Sequence, residues 1–304
     1  MKQISNALLE KIDRLALLKP ALEISHFGEL NFVSTFKQRP KGLMCNDACA
    51  GVDVDPELAI TKALVEFYER AVFQEGILNR HPACDRLHSD GIAAFPIHIE
   101  NALAQARDNA YLEAVERYVW AHWWDDSDIG HKAHQIEDLA TGYLASNGNS
   151  LKEFTSFCDV EEFFVIEPFV KDLTLNVQVL IAKISNFGFV SGGAAGWKGE
   201  ESKTFGRGLS ELIRHGIALK RGIAQNFPAS TFYEKRLMYF GLGHGNDLVL
   251  ERLGKSGTNK VDLPNLQIDQ EIPSREFNKL IYVHRCLFEN QPPFVDGELE
   301  RLCL

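Results

Sequence analysis

Ala110-Tyr-Leu-Glu-Ala-Val-Glu-Arg117 repeats the frame of an earlier stretch, Ala63-Leu-Val-Glu-Phe-Tyr-Glu-Arg70. Both read Ala, two residues, Glu, two residues, Glu-Arg. Each closes an Ala-rich helical run that follows a Gly-containing turn, Ala50-Gly51-Val52 in one case and Ser89-Asp90-Gly91 in the other. On a helix, Glu at i and i+3 share a face, and the Arg at i+4 from the first Glu reaches back along it. Each copy therefore offers two carboxylates, Glu66 with Glu69 and Glu113 with Glu116, edged by Arg70 or Arg117. A lone Glu-x-x-Glu-Arg is usually a solvated helix face with one weak ion pair. Two copies in matching frames weaken that reading. Four acids drawn into one small volume do not stay ionised without cations. Oxygen-only ligands suit Mg²⁺, above all Mg²⁺ that also holds phosphate.

Outward from these repeats, the composition is that of an ordinary soluble chain. Its 304 residues are 45% hydrophobic and 24% charged, enough for one large core or two closely packed halves. A net charge of −10 argues against nucleic acid or an anionic membrane as the main partner. The charged N-terminus lacks the apolar core of a signal peptide, and no apolar run is long enough to span a bilayer. Cys45, Cys49, Cys84, Cys158, Cys286 and Cys303 form no Cys-x-x-Cys pair. Without an export signal the reading is a cytoplasmic protein with reduced thiols, Cys45 and Cys49 being small core residues rather than nucleophiles.

The flanking pattern predicts a helix over 6–18, a strand over Leu30–Phe36 and a turn at Arg39-Pro40-Lys41-Gly42. Asp55-Pro56 supplies an N-cap and a first helical residue, and the stripe Ile60, Ala63, Leu64, Phe67 and Ala71 faces a core. A second long helix is expected over roughly 99–122. Asn101, Gln105, Asn109, Glu113 and Glu116 lie along one slowly drifting stripe of it. Amides there suit fixed hydrogen bonds to a polar ligand. Trp120, Trp123 and Trp124 read as core or interface anchors, Asp125–Asp128 as a loop, and His131 and His134 make too weak a pair for a metal. Leu175–Ile184 reads as a strand that turns at Ser185-Asn186 into a hairpin partner from Phe187 to Val190. The run Ser191-Gly-Gly-Ala-Ala-Gly196 permits close backbone approach. A third helix over 203–220 carries Lys203, Arg207, Glu211 and Arg214, whose arginines either neutralise phosphate or pair with Glu211. From Phe227 onward the pattern is mixed, with a last helix expected over 277–289. No linker appears, so one domain of two related halves is expected across 1–304.

Familiar nucleotide signatures are missing. Leu253-Gly254-Lys255-Ser256 resembles the end of a P-loop, but Val249 stands where the loop needs its first Gly. Gly241-Leu-Gly-His-Gly245 lacks dinucleotide spacing, and the Glu-x-x-His of a di-iron bundle is absent.

Taken together and in this order, the stretch from about Gly51 to Arg214 resembles a YcaO domain. The resemblance rests on Glu66-Phe-Tyr-Glu-Arg70, the Gly turn at Ser89-Asp-Gly91, the Asn101/Gln105/Asn109 stripe, Glu113-Ala-Val-Glu-Arg117 and the Gly-rich run leading to Arg207-Gly-Leu-Ser-Glu211. It implies an α+β fold of two related halves of β-sheet with packed helices, and a non-P-loop ATP site between helices. Glu66, Glu69, Glu113 and Glu116 would hold Mg²⁺, and Lys62, Asn101, Gln105, Asn109, Arg117 and Arg207 would line the ATP site. Members of the family phosphorylate the oxygen of a peptide-backbone amide after nucleophilic attack on its carbonyl carbon, giving azolines, thioamides or amidines. Lys62 stands where a small hydroxyl residue is usual, Gln105 where Glu is usual and Lys203 where Gln is usual. The tail Gly297–Leu304 lacks the Pro-x-Pro-x-Pro ending of azoline-forming members, and no leader-binding domain is fused. The resemblance therefore points to a stand-alone enzyme acting on a peptide or protein, with a separate sulfur-transfer or leader-peptide-binding partner and a homodimer left open. Two rivals stay beside it: a non-catalytic partner subunit binding peptide or nucleotide, and a generic Mg²⁺-dependent phosphotransferase.

Overall fold

A computed structural model describes residues 2–17, 19–36, 49–84, 91–135, 141–224, 226, 228–229, 231–292 and 299–302. The turn expected at Arg39–Gly42, Cys45, Ser89-Asp90 and half of the tail from Gly297 lie outside them. In chain order the elements are α1 (Lys2–Arg14), β1 (Ala21–Phe27), β2 (Leu30–Phe36), β3 (Cys49–Asp53), α2 (Pro56–Leu78), β4 (Ile92–Pro96), α3 (Ala102–Asp125) and β5 (His131–Gln135). There follow α4 (Thr141–Cys158), β6 (Val160–Pro168), β7 (Leu175–Ile184), β8 (Phe189–Trp197), α5 (Glu201–Ala224), α6 (Phe232–Gly241), α7 (Asn246–Gly254), β9 (Leu266–Glu271) and β10 (Ile281–Phe288). The class is α+β, with every strand pairing inside the sheets antiparallel. No helix among the described residues is long and apolar enough to cross a membrane.

The chain divides into two compact units, and the division falls inside α3, between Ala114 and Val115. One unit holds α1, β1–β3, α2, β4, the first half of α3, β9 and β10. Its sheets have the orders β1-β2-β3 and β4-β10-β9. Asp55 caps α2 by accepting the Glu57 N–H at 2.9 Å, with Pro56 at the first helical position. From there Ala63, Leu64, Phe67, Tyr68 and Val72 are buried, α2 packing on β2 and β3 and also touching β4 and β10. Leu8 and Ile12 bring α1 into the same core. The helix expected over 6–18 thus starts at Lys2 and ends at Arg14, because Ala16 takes a left-handed φ of 51°.

The other unit holds the second half of α3, β5–β8 and α4–α7. Its sheet runs β5-β6-β7-β8, and α5 packs on β7 and β8. Trp120, Trp123, Phe154, Phe189, Phe205 and Phe240 are fully buried here, each contributing roughly 1.5–3 kcal/mol of transfer free energy. Trp120 and Trp123 are therefore core residues, as expected.

Three expectations need correction. The helix expected over 277–289 is instead a turn followed by strand β10: seven of its eight residues are buried, so they show no clean alternation. The hairpin partner expected from Phe187 to Val190 is β8, which starts at Phe189 and runs on through Ser191–Gly196 to Trp197. The second long helix begins at Ala102, so Asn101 precedes it with a left-handed φ of 56°.

Candidate functional site

The two Glu-x-x-Glu-Arg copies make the same local contact. Glu66 Oε2 accepts the Ala50 N–H of β3 at 3.0 Å, and Glu113 Oε2 accepts the Ile92 N–H of β4 at 2.8 Å. In each copy the first glutamate thus reaches the strand that precedes its helix. Glycine permits the approach. A Cβ on Gly51 would stand 2.1 Å from the Ala59 carbonyl oxygen, and one on Gly91, at φ +68°, would stand 1.9 Å from the Cys286 carbonyl oxygen. Gly51 itself lies within β3 and not in a turn.

The other oxygen of Glu66 accepts from Arg70 Nη2 at 2.7 Å. A carboxylate oxygen has a second lone pair, so these contacts leave room for a cation. Glu66, Glu69 and Glu113 do not bring three ligand oxygens within 4.8 Å of one another. Lys62, one turn before Glu66, donates to Asp53 Oδ2 at 2.9 Å and to the Val52 carbonyl at 3.0 Å. Gln105 Nε2 donates to the Glu100 carbonyl at 2.8 Å, while Asn109 is half-buried. Along α3 the polar stripe passes from exposed Asn101 to buried Glu116.

In the second unit, Arg117 bridges two acids. Its Nη2 donates to Glu211 Oε1 at 2.9 Å, and its Nη1 stands 3.4 Å from Glu116 Oε1. Glu211 Oε2 accepts the Gly193 N–H of β8 at 2.9 Å, a third use of the helix-carboxylate contact. Burial pushes the Glu211 carboxyl up, but Arg117, His215, Arg214 and the Gly193 N–H outweigh burial and hold it below the ordinary value. Glu211 was read from the sequence only as a counter-ion for arginines. Its position four residues after Arg207, behind a Gly-rich run, was the available signal. Next to it His215, pushed down to about 4 by burial, is neutral and donates from Nδ1 to the Ser191 carbonyl at 2.6 Å.

Glycine again sets the spacing. A Cβ on Gly193 would stand 2.6 Å from the Trp120 ring and 3.2 Å from Glu116 Oε1. One on Gly196 would stand 2.0 Å from Thr204 Oγ1 and 3.3 Å from Arg207 Nη2. Arg207 is the notable member. Its Nε and Nη2 are buried and make no hydrogen bond among the described residues. Burial lowers its pKa, with Glu116 and Glu200 acting the other way. A buried guanidinium with two unused donors fits an anion with several acceptor oxygens, and phosphate has that chemistry. Lys203, by contrast, is exposed and pairs with Glu200 at 3.4 Å.

The YcaO protein of Methanopyrus kandleri, solved with AMPPCP and Mg²⁺, is similar over 98% of this chain and 94% of its own, with a TM-score of 0.61 and 14% identity. The chain has the YcaO fold. Two structures of the Escherichia coli microcin synthetase McbBCD complex share it. One covers 88% of this chain and 87% of its own, at TM-score 0.59 and 10% identity. The other, with pro-MccB17 bound, covers 90% and 89%, at TM-score 0.61 and 11% identity. No family model and no curated protein matches the sequence. The YcaO likeness in structure extends well beyond the 51–214 stretch whose motifs carried it, taking in the final quarter of the chain.

Proposed function

We propose that this chain is an ATP- and Mg²⁺-dependent enzyme that activates a backbone amide of a peptide or protein by phosphorylating its oxygen, leading to a thioamide, an azoline or a related group. The observation that carries the reading is Arg207, whose buried Nε and Nη2 lack hydrogen-bond partners beside Glu116 and a glycine-lined strand. AMPPCP and Mg²⁺ in the similar M. kandleri protein support it, and pro-MccB17 in the E. coli complex supports a peptide substrate. Glu66, Glu69, Glu113 and Glu116 are the residues to hold Mg²⁺. Arg117 and Arg207 are those to meet phosphate, with Lys62, Asn101, Gln105 and Asn109 on the nucleotide. An amide oxygen leaves poorly until phosphorylated, and fixed positive charge stabilises the transferring phosphoryl group. Glu211 keeps Arg117 aimed by holding it between two acids. The nucleophile comes from the substrate or from a separate sulfur-transfer partner, and a leader-peptide-binding partner would deliver the substrate.

A second reading is a non-catalytic partner subunit that keeps the fold. It is favoured by Lys62, whose ammonium is held by Asp53 and the Val52 carbonyl. Calorimetric titration of AMPPCP with and without Mg²⁺, followed by an ADP-release assay on a peptide substrate, separates them. Mg²⁺-dependent binding with turnover supports the enzyme, binding without turnover a nucleotide-binding subunit, and no binding removes both, leaving only a subunit that binds peptide.

A further inference from the structure

Strand β10 carries His284 and Cys286 two residues apart, and therefore on one face. Register places Glu271 of β9 opposite His284 and Asp269 opposite Cys286. Among the described residues, Asp269, His284 and Cys286 are the one group of three ligand-type side chains whose ligand atoms all lie within 4.8 Å of one another. His284 Nε2 lies 2.8 Å from Asp269 Oδ1, and Cys286 Sγ lies 3.6 Å from the same oxygen. In a tetrahedral zinc site, bond lengths of about 2.0–2.3 Å put neighbouring N and O ligands about 3.3 Å apart and neighbouring S and O ligands about 3.6 Å apart. Of the two separations to Asp269 Oδ1, the one from Cys286 already matches and the one from His284 has to open by about half an ångström.

Hydrogen bonds to Asp269 hold the three side chains together but leave one imidazole nitrogen unused. His284 is 7% exposed, yet its Nδ1 is buried with no hydrogen-bond partner. One ring nitrogen is thus committed to Asp269 and the other to nothing. The imidazole also lines a cleft of about 710 Å³ shared with Arg107, Glu271, Tyr282, Ile97 and Asn101, which gives a fourth ligand a way in.

We propose that Asp269 Oδ1, His284 Nε2 and Cys286 Sγ bind a divalent d-block cation, Zn²⁺ foremost, with its fourth position open to this cleft. N, O and S donors together suit zinc and not Mg²⁺, so this site is separate in chemistry from the one proposed for the nucleotide. Arg107 now occupies the charge-balancing place: its Nε donates to Asp269 Oδ1 at 2.9 Å and its Nη2 to Oδ2 at 2.5 Å. Binding exchanges that guanidinium for the cation. Cys286 Sγ becomes a thiolate ligand and its proton leaves for solvent, while the Nε2 proton that His284 gives to Asp269 moves to Nδ1, freeing the Nε2 lone pair for the metal. Burial, then Asp269, push this thiol up to about 12, Asp108 adding and Arg107 opposing, so the released proton is part of the binding equilibrium. Zinc would tie the exposed edge strand β9 to β10.

The test is titration of Co²⁺ into the metal-free full chain, read by tetrahedral d–d absorption and thiolate-to-cobalt charge transfer, followed by displacement with Zn²⁺. One equivalent is expected, with the charge-transfer band lost in Cys286→Ser and tighter binding in Arg107→Gln. X-ray absorption of the zinc-loaded parent, which needs no variant to fold, should show one sulfur at about 2.3 Å. Absence of sulfur from the zinc shell, or a stoichiometric charge-transfer band that persists in Cys286→Ser, overturns the proposal.

Discussion

Replacing Arg207 by Met keeps an unbranched apolar stem and removes the charged head. In the ligand-free protein this should be stabilising. Two buried donors, Nε and Nη2, make no hydrogen bond, and each unsatisfied buried donor costs about 1–3 kcal/mol. Against that gain of about 2–6 kcal/mol stands the lost attraction to Glu116 and Glu200. Glu116 keeps Arg117 at 3.4 Å, so the change does not strand it. A net gain of about 1–3 kcal/mol is expected, or about 2–6 °C in the thermal midpoint at some 2 °C per kcal/mol. With nucleotide the order reverses. At about one hundred times its dissociation constant, AMPPCP with Mg²⁺ should stabilise the parent by about 2.7 kcal/mol, and Arg207→Met should lose most of that shift. Scanning fluorimetry of both proteins, with and without AMPPCP and Mg²⁺, reads all four values. Destabilisation of the ligand-free variant by more than about 1 kcal/mol, or an undiminished nucleotide shift, would refute the reasoning.

Acid should weaken the fold through His215 and His131, both buried and both pushed down from 6.5 to about 4, chiefly by burial. The unfolded chain takes up these protons near pH 6.5 and the folded one only near pH 4, so stability is full above 6.5 and falls as pH drops between them. Each histidine contributes about 3 kcal/mol across that window; urea midpoints at pH 7.5 and 4.5 check it, and a flat profile would contradict it. Gly193→Ala should cost about 1–3 kcal/mol by overpacking against Trp120. Gly148→Ala, in a helix where a Cβ meets nothing within 4 Å, should gain about 0.5–1 kcal/mol, both read from urea midpoints. Glu113→Gln keeps an acceptor for the Ile92 N–H and should leave stability within about 0.5 kcal/mol, while abolishing the Mg²⁺ dependence of AMPPCP binding in calorimetry.

What the sequence disclosed were features decided locally. Asp55-Pro56 starts a helix because capping needs only neighbouring backbone, and the strands at Leu30 and Leu175 carry β-branched and apolar residues in partial alternation. The paired Glu-x-x-Glu-Arg frames held because helical spacing alone puts their acids on one face. What escaped notice depends on distant partners. Strand β10 looked helical because Arg285 and His284 interrupt its apolar run. Each is bonded to a residue elsewhere in the sequence, Arg285 Nη1 to the Ala83 carbonyl and His284 Nε2 to Asp269. Asn101 fell outside its expected helix because a left-handed residue precedes α3, which spacing does not reveal. Glu211 went unassigned for a similar reason: the Gly193 N–H and Arg117 that define its place lie 18 and 94 residues away.

Strands β3, β4 and β8 are each the terminal strand of their sheets, and Ala50, Ile92 and Gly193 each give an N–H to a helix carboxylate. A terminal strand with open N–H groups is a template for pairing with another molecule. Glu66, Glu113 and Glu211 each occupy one of these N–H groups, so removing them should make the borders more adhesive. Alanine at these positions would bare sticky borders, so an inactive variant of that kind would also precipitate. Glutamine, which still offers an oxygen, would silence the charge while leaving the protein in solution.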